Sequence, residues 1–128
     1  MALKLRFYRC KVCGNIVQVL IDGAGELVCC GEEMMLLEPK SVDNGSEKHV
    51  PVFEKLDDGT TVVKVGSEPH PMENEHYIQF IEAISNDNKK LELEFFEPHQ
   101  IAQMKVKGCP DKAFEYCNIH SLWEGNND

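Results

Sequence analysis

From Leu91 to Phe95 the chain alternates strictly, with Leu91, Leu93 and Phe95 separated by Glu92 and Glu94. A period of two is the signature of a strand with one buried and one wet face. Residues 50–56 and 60–65 are rich in strand formers, and Asp57, Asp58 and Gly59 between them form a hairpin turn signal. His76 to Ile84 is again rich in strand formers with partial alternation, and Ser85 to Lys90 reads as a turn. Residues 101–107 and 113–117 supply two more short strands. No stretch carries the helical period convincingly. Short strands at this spacing predict an all-β protein built on an antiparallel sandwich.

The polar stretch from Glu38 to Glu47 contains Pro39, Ser41, Asn44, Gly45 and Ser46, which is linker composition. It divides the chain into an N-terminal module at 1–37, a linker at 38–46 and a larger module at 47–128. A module below about 40 residues rarely folds on its core alone and usually needs a metal or cross-links. Cys10, Cys13, Cys29 and Cys30 all fall within this small module. Four thiolates around one ion would make metal-binding energy into folding energy.

Composition narrows the function. In 128 residues, 13 Lys and Arg stand against 22 Asp and Glu, a formal charge of −9. That balance argues against nucleic acid, whose phosphates require clustered cations. No apolar run approaches the roughly 20 residues of a membrane span. The opening residues mix Lys4, Arg6 and Arg9 with apolar positions and lack the continuous apolar stretch of a secretory signal. The expectation is a cytoplasmic protein, where thiols stay reduced. The six cysteines then read as metal ligands or reactive thiols rather than disulfides.

Cys10 and Cys13 sit on one tight loop, where backbone amides can reach the sulfurs. Cys29 and Cys30 are directly adjacent. Consecutive side chains on extended backbone point to opposite faces. Both reach one ion only if the chain bends sharply between them, which predicts a distorted tetrahedron. Such a site accepts zinc or iron, and spacing does not choose between them. In the larger module, His49, His70, His76 and His120 lie among polar and turn residues, and Cys117 precedes His120 by three. That spacing lets both side chains reach one ion from a turn. Imidazole and thiolate are standard ligands of iron, zinc and copper. Taken singly, each histidine also reads as an ordinary edge residue, and spacing alone does not bring these segments together. His99 reads as surface, and Cys109, in a Gly-Cys-Pro turn, as a free thiol.

The stretches Cys10–Asn15, Leu27–Gly31, Glu47–Pro51, His70–Met72, His76 and Glu115–His120 together resemble the desulfoferrodoxin family, the two-iron class of superoxide reductase. The resemblance runs from about residue 5 to residue 123. It implies a desulforedoxin-like module holding iron through Cys10, Cys13, Cys29 and Cys30, followed by an immunoglobulin-like β-sandwich. It implies a second iron, with His49, His70, His76 and His120 in its equatorial plane, Cys117 axial and the sixth position open in the ferrous state. Tyr77 and Ser121 stand where many members carry Trp and Gly.

The implied activity is one-electron reduction of superoxide to hydrogen peroxide without dioxygen release. The axial thiolate would donate electron density to the iron. Lys48 would attract the anionic substrate to a chain of negative charge and assist proton delivery. Glu47 would occupy the sixth position after turnover. The implied electron donor is rubredoxin or a similar small carrier, and the implied assembly a homodimer. Two other readings compete. An electron carrier would use the four-cysteine iron alone, and a binding module would hold structural zinc at both sites. The electron carrier has no need of four histidines, a cysteine and an adjacent Lys48. The binding module would be colourless and fully occupied by zinc.

Overall fold

The computed structural model describes residues 5–42, 48–66 and 70–127. They divide into two compact units, parted between Glu38 and Pro39. Every strand pairing is antiparallel, and no helix occurs among the described residues. The all-β expectation is met. Among the described residues no helix is long and apolar enough to cross a membrane.

The first unit holds five short strands: β1 (Arg6–Arg9), β2 (Ile16–Val19), β3 (Val28–Cys29), β4 (Glu32–Glu33) and β5 (Met35–Leu37). β1 lies between β2 and β5, while β3 and β4 form a separate hairpin. Among the described residues of this unit, Leu5, Phe7, Cys10, Met34 and Leu37 are the buried apolar ones. Each contributes on the order of 2 kcal/mol. That is a small core to set against the entropy of ordering the module.

The second unit is a sandwich. β6 (Pro51–Lys55), β7 (Thr60–Val65) and β10 (Gln103–Lys107) form one sheet in the order β10-β7-β6. β8 (Ile78–Ser85), β9 (Lys90–Phe95), β11 (Lys112–Cys117) and β12 (Ser121–Asn126) form the other, in the order β12-β11-β8-β9. Alternation along β7 turns Thr61, Val63 and Val65 inward. Val63 and Val65 meet Ile78, Ile81, Ala83, Ala113 and Cys117 from the opposite sheet, with Met104, Val106 and Phe96 closing the core.

Two departures from the sequence reading have clear causes. His76 precedes β8 rather than opening it: Glu73 and His76 pair their backbone groups across a tight turn at 2.9 and 3.1 Å. β12 was not expected. Leu122 and Trp123 are both buried, so the strand lacks the alternation that marks a half-wet strand.

Ser121 opens β12 with φ +70. A left-handed serine costs about 1 kcal/mol relative to glycine. Ser121→Gly is therefore expected to raise the melting midpoint by about 3 °C. An unchanged or lowered midpoint by calorimetry would show that the serine side chain offsets its backbone strain.

Candidate metal centres

The first centre is built by two loops. The loop between β1 and β2 carries Cys10 and Cys13. It is closed by hydrogen bonds from the Cys10 amide to the Asn15 carbonyl at 2.9 Å and from the Gly14 amide to the Cys10 carbonyl at 3.0 Å. The β3–β4 hairpin carries Cys29 and Cys30. The bend demanded by their adjacency is present: Cys30 has φ 54 and Gly31 φ 75. Two successive left-handed residues turn consecutive side chains to one side. The Cys13 and Cys29 sulfurs are 3.6 Å apart, and those of Cys29 and Cys30 are 4.0 Å apart. The Cys13 amide donates to the Cys10 sulfur at 3.5 Å, and Asn15 Nδ2 donates to the Cys29 sulfur at 3.7 Å.

These contacts set the order of ionisation. The Cys13 backbone amide stabilises the Cys10 thiolate and lowers its pKa to about 6. Cys29, hydrogen-bonded to Cys10 and then to Cys13, is pushed up to about 12. Cys30 is raised too, chiefly by its contact with Cys13. One thiolate is thus ready near neutral pH, and a metal must displace protons from its neighbours.

The second centre lies where strand ends of the sandwich converge. His49 lies two residues before β6, and His70 follows β7. Pro51 pairs with Val65, so these two approaches share one end of their sheet. His76 precedes β8, Cys117 ends β11, and His120 lies in the turn to β12. Cys117 pairs with both Ile78 and Ser121, which brings these three to one end of the other sheet. A register shift between Tyr116 and Cys117 accompanies the inward packing of Ile78 and Cys117.

The donor atoms of His49, His70, His76, Cys117 and His120 all lie within 4.8 Å of one another. His49 Nε2 and His70 Nε2 are 3.0 Å apart. The Cys117 sulfur is 3.7 Å from His70 Nε2 and 3.8 Å from His120 Nδ1. Atoms bound to one ion at about 2.1–2.3 Å span up to about 4.6 Å, so the cluster needs only a slight contraction to close on a single ion. His49, His70 and Cys117 are buried, while His76 and His120 are half-buried.

Second contacts orient the rings. His70 Nδ1 lies 2.7 Å from the Pro71 carbonyl, which can only accept. Nδ1 therefore carries the proton, and the Nε2 lone pair faces the cluster. Asn118 fastens the Cys117–His120 turn to the segment carrying His76. Its Oδ1 accepts from the Tyr77 amide at 2.9 Å, and its Nδ2 donates to the Glu75 carbonyl at 3.0 Å. Its own amide donates to the Tyr77 carbonyl at 3.2 Å. Sequence reasoning assigned no role to Asn118.

Lys48 is half-buried beside His49. Glu47 lies outside the described residues. His99 is exposed and lies outside both clusters, and Cys109 is an exposed free cysteine.

A four-thiolate knuckle and a four-imidazole, one-thiolate cluster on a β-sandwich define a two-centre non-haem metalloprotein. The family model for the desulfoferrodoxin N-terminal domain matches residues 2–37, and that for desulfoferrodoxin matches residues 41–126. A desulfoferrodoxin from Syntrophotalea carbinolica is 50% identical, with 96% of this chain and 97% of that one aligned. Another, from Desulfarculus baarsii, is 48% identical over 97% of this chain and 98% of its own length. The superoxide reductase of Treponema pallidum has a similar structure, with a TM-score of 0.78 and 27% identity over 96% of this chain and 98% of that one. The chain belongs to the desulfoferrodoxin family. Both donor sets fit iron: soft thiolates suit it in the first, and mixed imidazole and thiolate suit it in the second.

Proposed function

We propose that the chain is a superoxide reductase, converting superoxide, one electron and two protons into hydrogen peroxide. The single observation that carries this reading is the convergence of four imidazoles and one thiolate at one end of the sandwich. A structural zinc site is satisfied by four ligands. Five donors in one cluster suit a redox ion instead. His49, His70, His76, His120 and Cys117 would hold the catalytic iron, and Cys10, Cys13, Cys29 and Cys30 a second iron. Ferrous iron, when bound in the sandwich, supplies the electron.

The chain's own residues perform the remaining tasks. Cys117 brings the cluster's one anionic donor and offsets part of the metal's charge. The Pro71 carbonyl holds the His70 ring in one tautomer. Lys48 attracts an anion that a chain of charge −9 otherwise repels, and it places a proton donor beside His49. Glu47 adjoins Lys48 in sequence and is assigned the carboxylate that covers the site after turnover. The proposal extends to a cytoplasmic homodimer that receives its electrons from rubredoxin or a similar small carrier.

The test mixes anaerobically reduced protein with a known pulse of superoxide. Peroxide equal to the superoxide consumed, with no dioxygen, is the expected result. Dioxygen and peroxide in equal amounts would mean dismutation. No reaction, with iron confirmed in the sandwich, would leave an electron carrier as the better account.

A further inference from the structure

Lys40 belongs to neither ligand set, yet it reaches one of them. Its amide donates to the Leu122 carbonyl at 3.0 Å, and its carbonyl accepts from the Glu124 amide at 2.8 Å. These bonds make a parallel bridge between Lys40 and Trp123 at the outer edge of β12. The bridge seats the Lys40 ammonium 5.2 Å from the centroid of the Trp123 ring. An exposed lysine over an indole is a weak contact by itself. Here it has a second partner: Lys40 Nζ donates to the His120 carbonyl at 3.2 Å. Trp123 Nε1 donates to the same carbonyl at 3.0 Å.

One carbonyl, that of a residue in the five-donor cluster, therefore takes two donors, one of them charged. Charge-assisted hydrogen bonds are the stronger kind. The peptide they hold joins His120 to Ser121, whose φ of +70 a serine seldom adopts. A strained conformation persists only where its surroundings over-determine it. The same indole also lies flat on His49, with ring centroids 4.6 Å apart and planes 12° from parallel. Trp123 thus touches the cluster twice, through the His49 ring and through the His120 backbone.

We infer that Lys40 and Trp123 are positioning residues of the sandwich centre, clamping the His120–Ser121 peptide so that the imidazoles of His120 and His49 keep their aim. The inference rests on the reading of the five-residue cluster as an iron centre. Lys40 lies in sequence immediately after the small module, within a stretch whose composition suggests only a linker. On this inference part of that stretch belongs to the centre. The Lys40 ammonium also adds positive charge beside His120, which favours the reduced form of a redox ion held there.

The experiment loads full-length protein with iron and follows its release from the sandwich to an excess of chelator, with the ferric thiolate absorption band and the midpoint potential recorded alongside. Lys40→Met is expected to speed release by roughly tenfold or more, the usual effect of losing a partner that orients a metal ligand. Its band should shift and its potential should fall. Trp123→Phe, which keeps a ring against His49 but removes the indole donor, should also speed release. Lys40→Arg, which keeps a charged donor, should behave as the wild type. Lys40→Met with wild-type release, band and potential would overturn the inference, as would Lys40→Arg behaving like Lys40→Met. The metal-free protein reads the clamp separately. There Lys40→Met should shift the Trp123 indole proton resonance, and an unmoved resonance would overturn the clamp. A wild-type chain that takes up no iron in the sandwich, with that resonance shifted as expected, would instead sink the iron reading and leave the clamp standing.

Discussion

Alanine in place of Gly66 is expected to destabilise the sandwich by about 3 kcal/mol and to loosen any metal held by the five-residue cluster. Gly66 has φ +74, a conformation that costs alanine about 1–2 kcal/mol. A methyl group there also has nowhere to go. It would lie 2.6 Å from Lys48 Cβ and 2.7 Å from the Lys48 carbonyl carbon, and nearer still to the carbonyl oxygen. Much of what it meets is backbone, so the segment itself must move, adding roughly 1–3 kcal/mol. That segment runs through Lys48, His49 and Val50, and the Gly66 amide is bonded to the Val50 carbonyl at 3.1 Å. Displacing it moves His49 away from His70. Gly59 is the control. It has φ +85 but nothing within 4 Å of its added methyl, so Gly59→Ala should meet the conformational cost alone. Thermal unfolding and metal per chain measure both effects. Equal midpoints for the two variants would show that the close approach to Lys48 carries no weight.

Gly66 also shows where sequence reasoning stops. β7 is legible because its alternate positions are buried. The alternation of β9 marks a strand too, but the buried face it predicts is not there, since Leu93 and Phe95 are exposed on this edge strand. The bend at Cys30 is legible because two adjacent ligands cannot serve one ion otherwise. The close approach of Gly66 to Lys48 is a tertiary fact with no local signature. The same holds for β12, whose Leu122 and Trp123 are buried on consecutive positions. The histidines are the clearest case. His49, His70, His76 and His120 sit in three different connections, His70 and His76 sharing the one between β7 and β8, and pairing registers in two sheets bring them together. Periodicity does not carry that information; the resemblance of whole motifs to a family did. Asn118 and Lys40 lay within stretches already noticed, one in the Cys117–His120 turn and one in the linker-like stretch. Their contacts are to backbone atoms distant in sequence, which no motif reveals. Glu47 lies outside the described residues, so its role rests on the family resemblance alone.

Serine in place of Cys117 is expected to cut the bound metal from two ions per chain to one, with the four-cysteine site keeping its ion. The argument is one of charge. The sandwich cluster offers four neutral imidazoles and one thiolate. Cys117 is fully buried, and its sulfur lies within 4 Å of His70 Nε2 and His120 Nδ1. A serine hydroxyl fits the same space but stays protonated near neutral pH. The cation would then sit in a buried site with no anionic donor. Removing one partner from a buried charge pair costs about 3–5 kcal/mol, a factor of roughly 10² to 4 × 10³ in affinity. The fold should survive, because a hydroxyl in place of a buried thiol costs only about 1–3 kcal/mol. The Cys10 site has cysteines in all four positions and shares no residue with this cluster, so its ion reports on intact folding within the same sample. Cys109→Ser, at an exposed cysteine outside both clusters, should leave both ions in place. Two ions per chain retained by Cys117→Ser after dialysis against chelator would mean that the four imidazoles suffice, and the thiolate would lose its place in the centre.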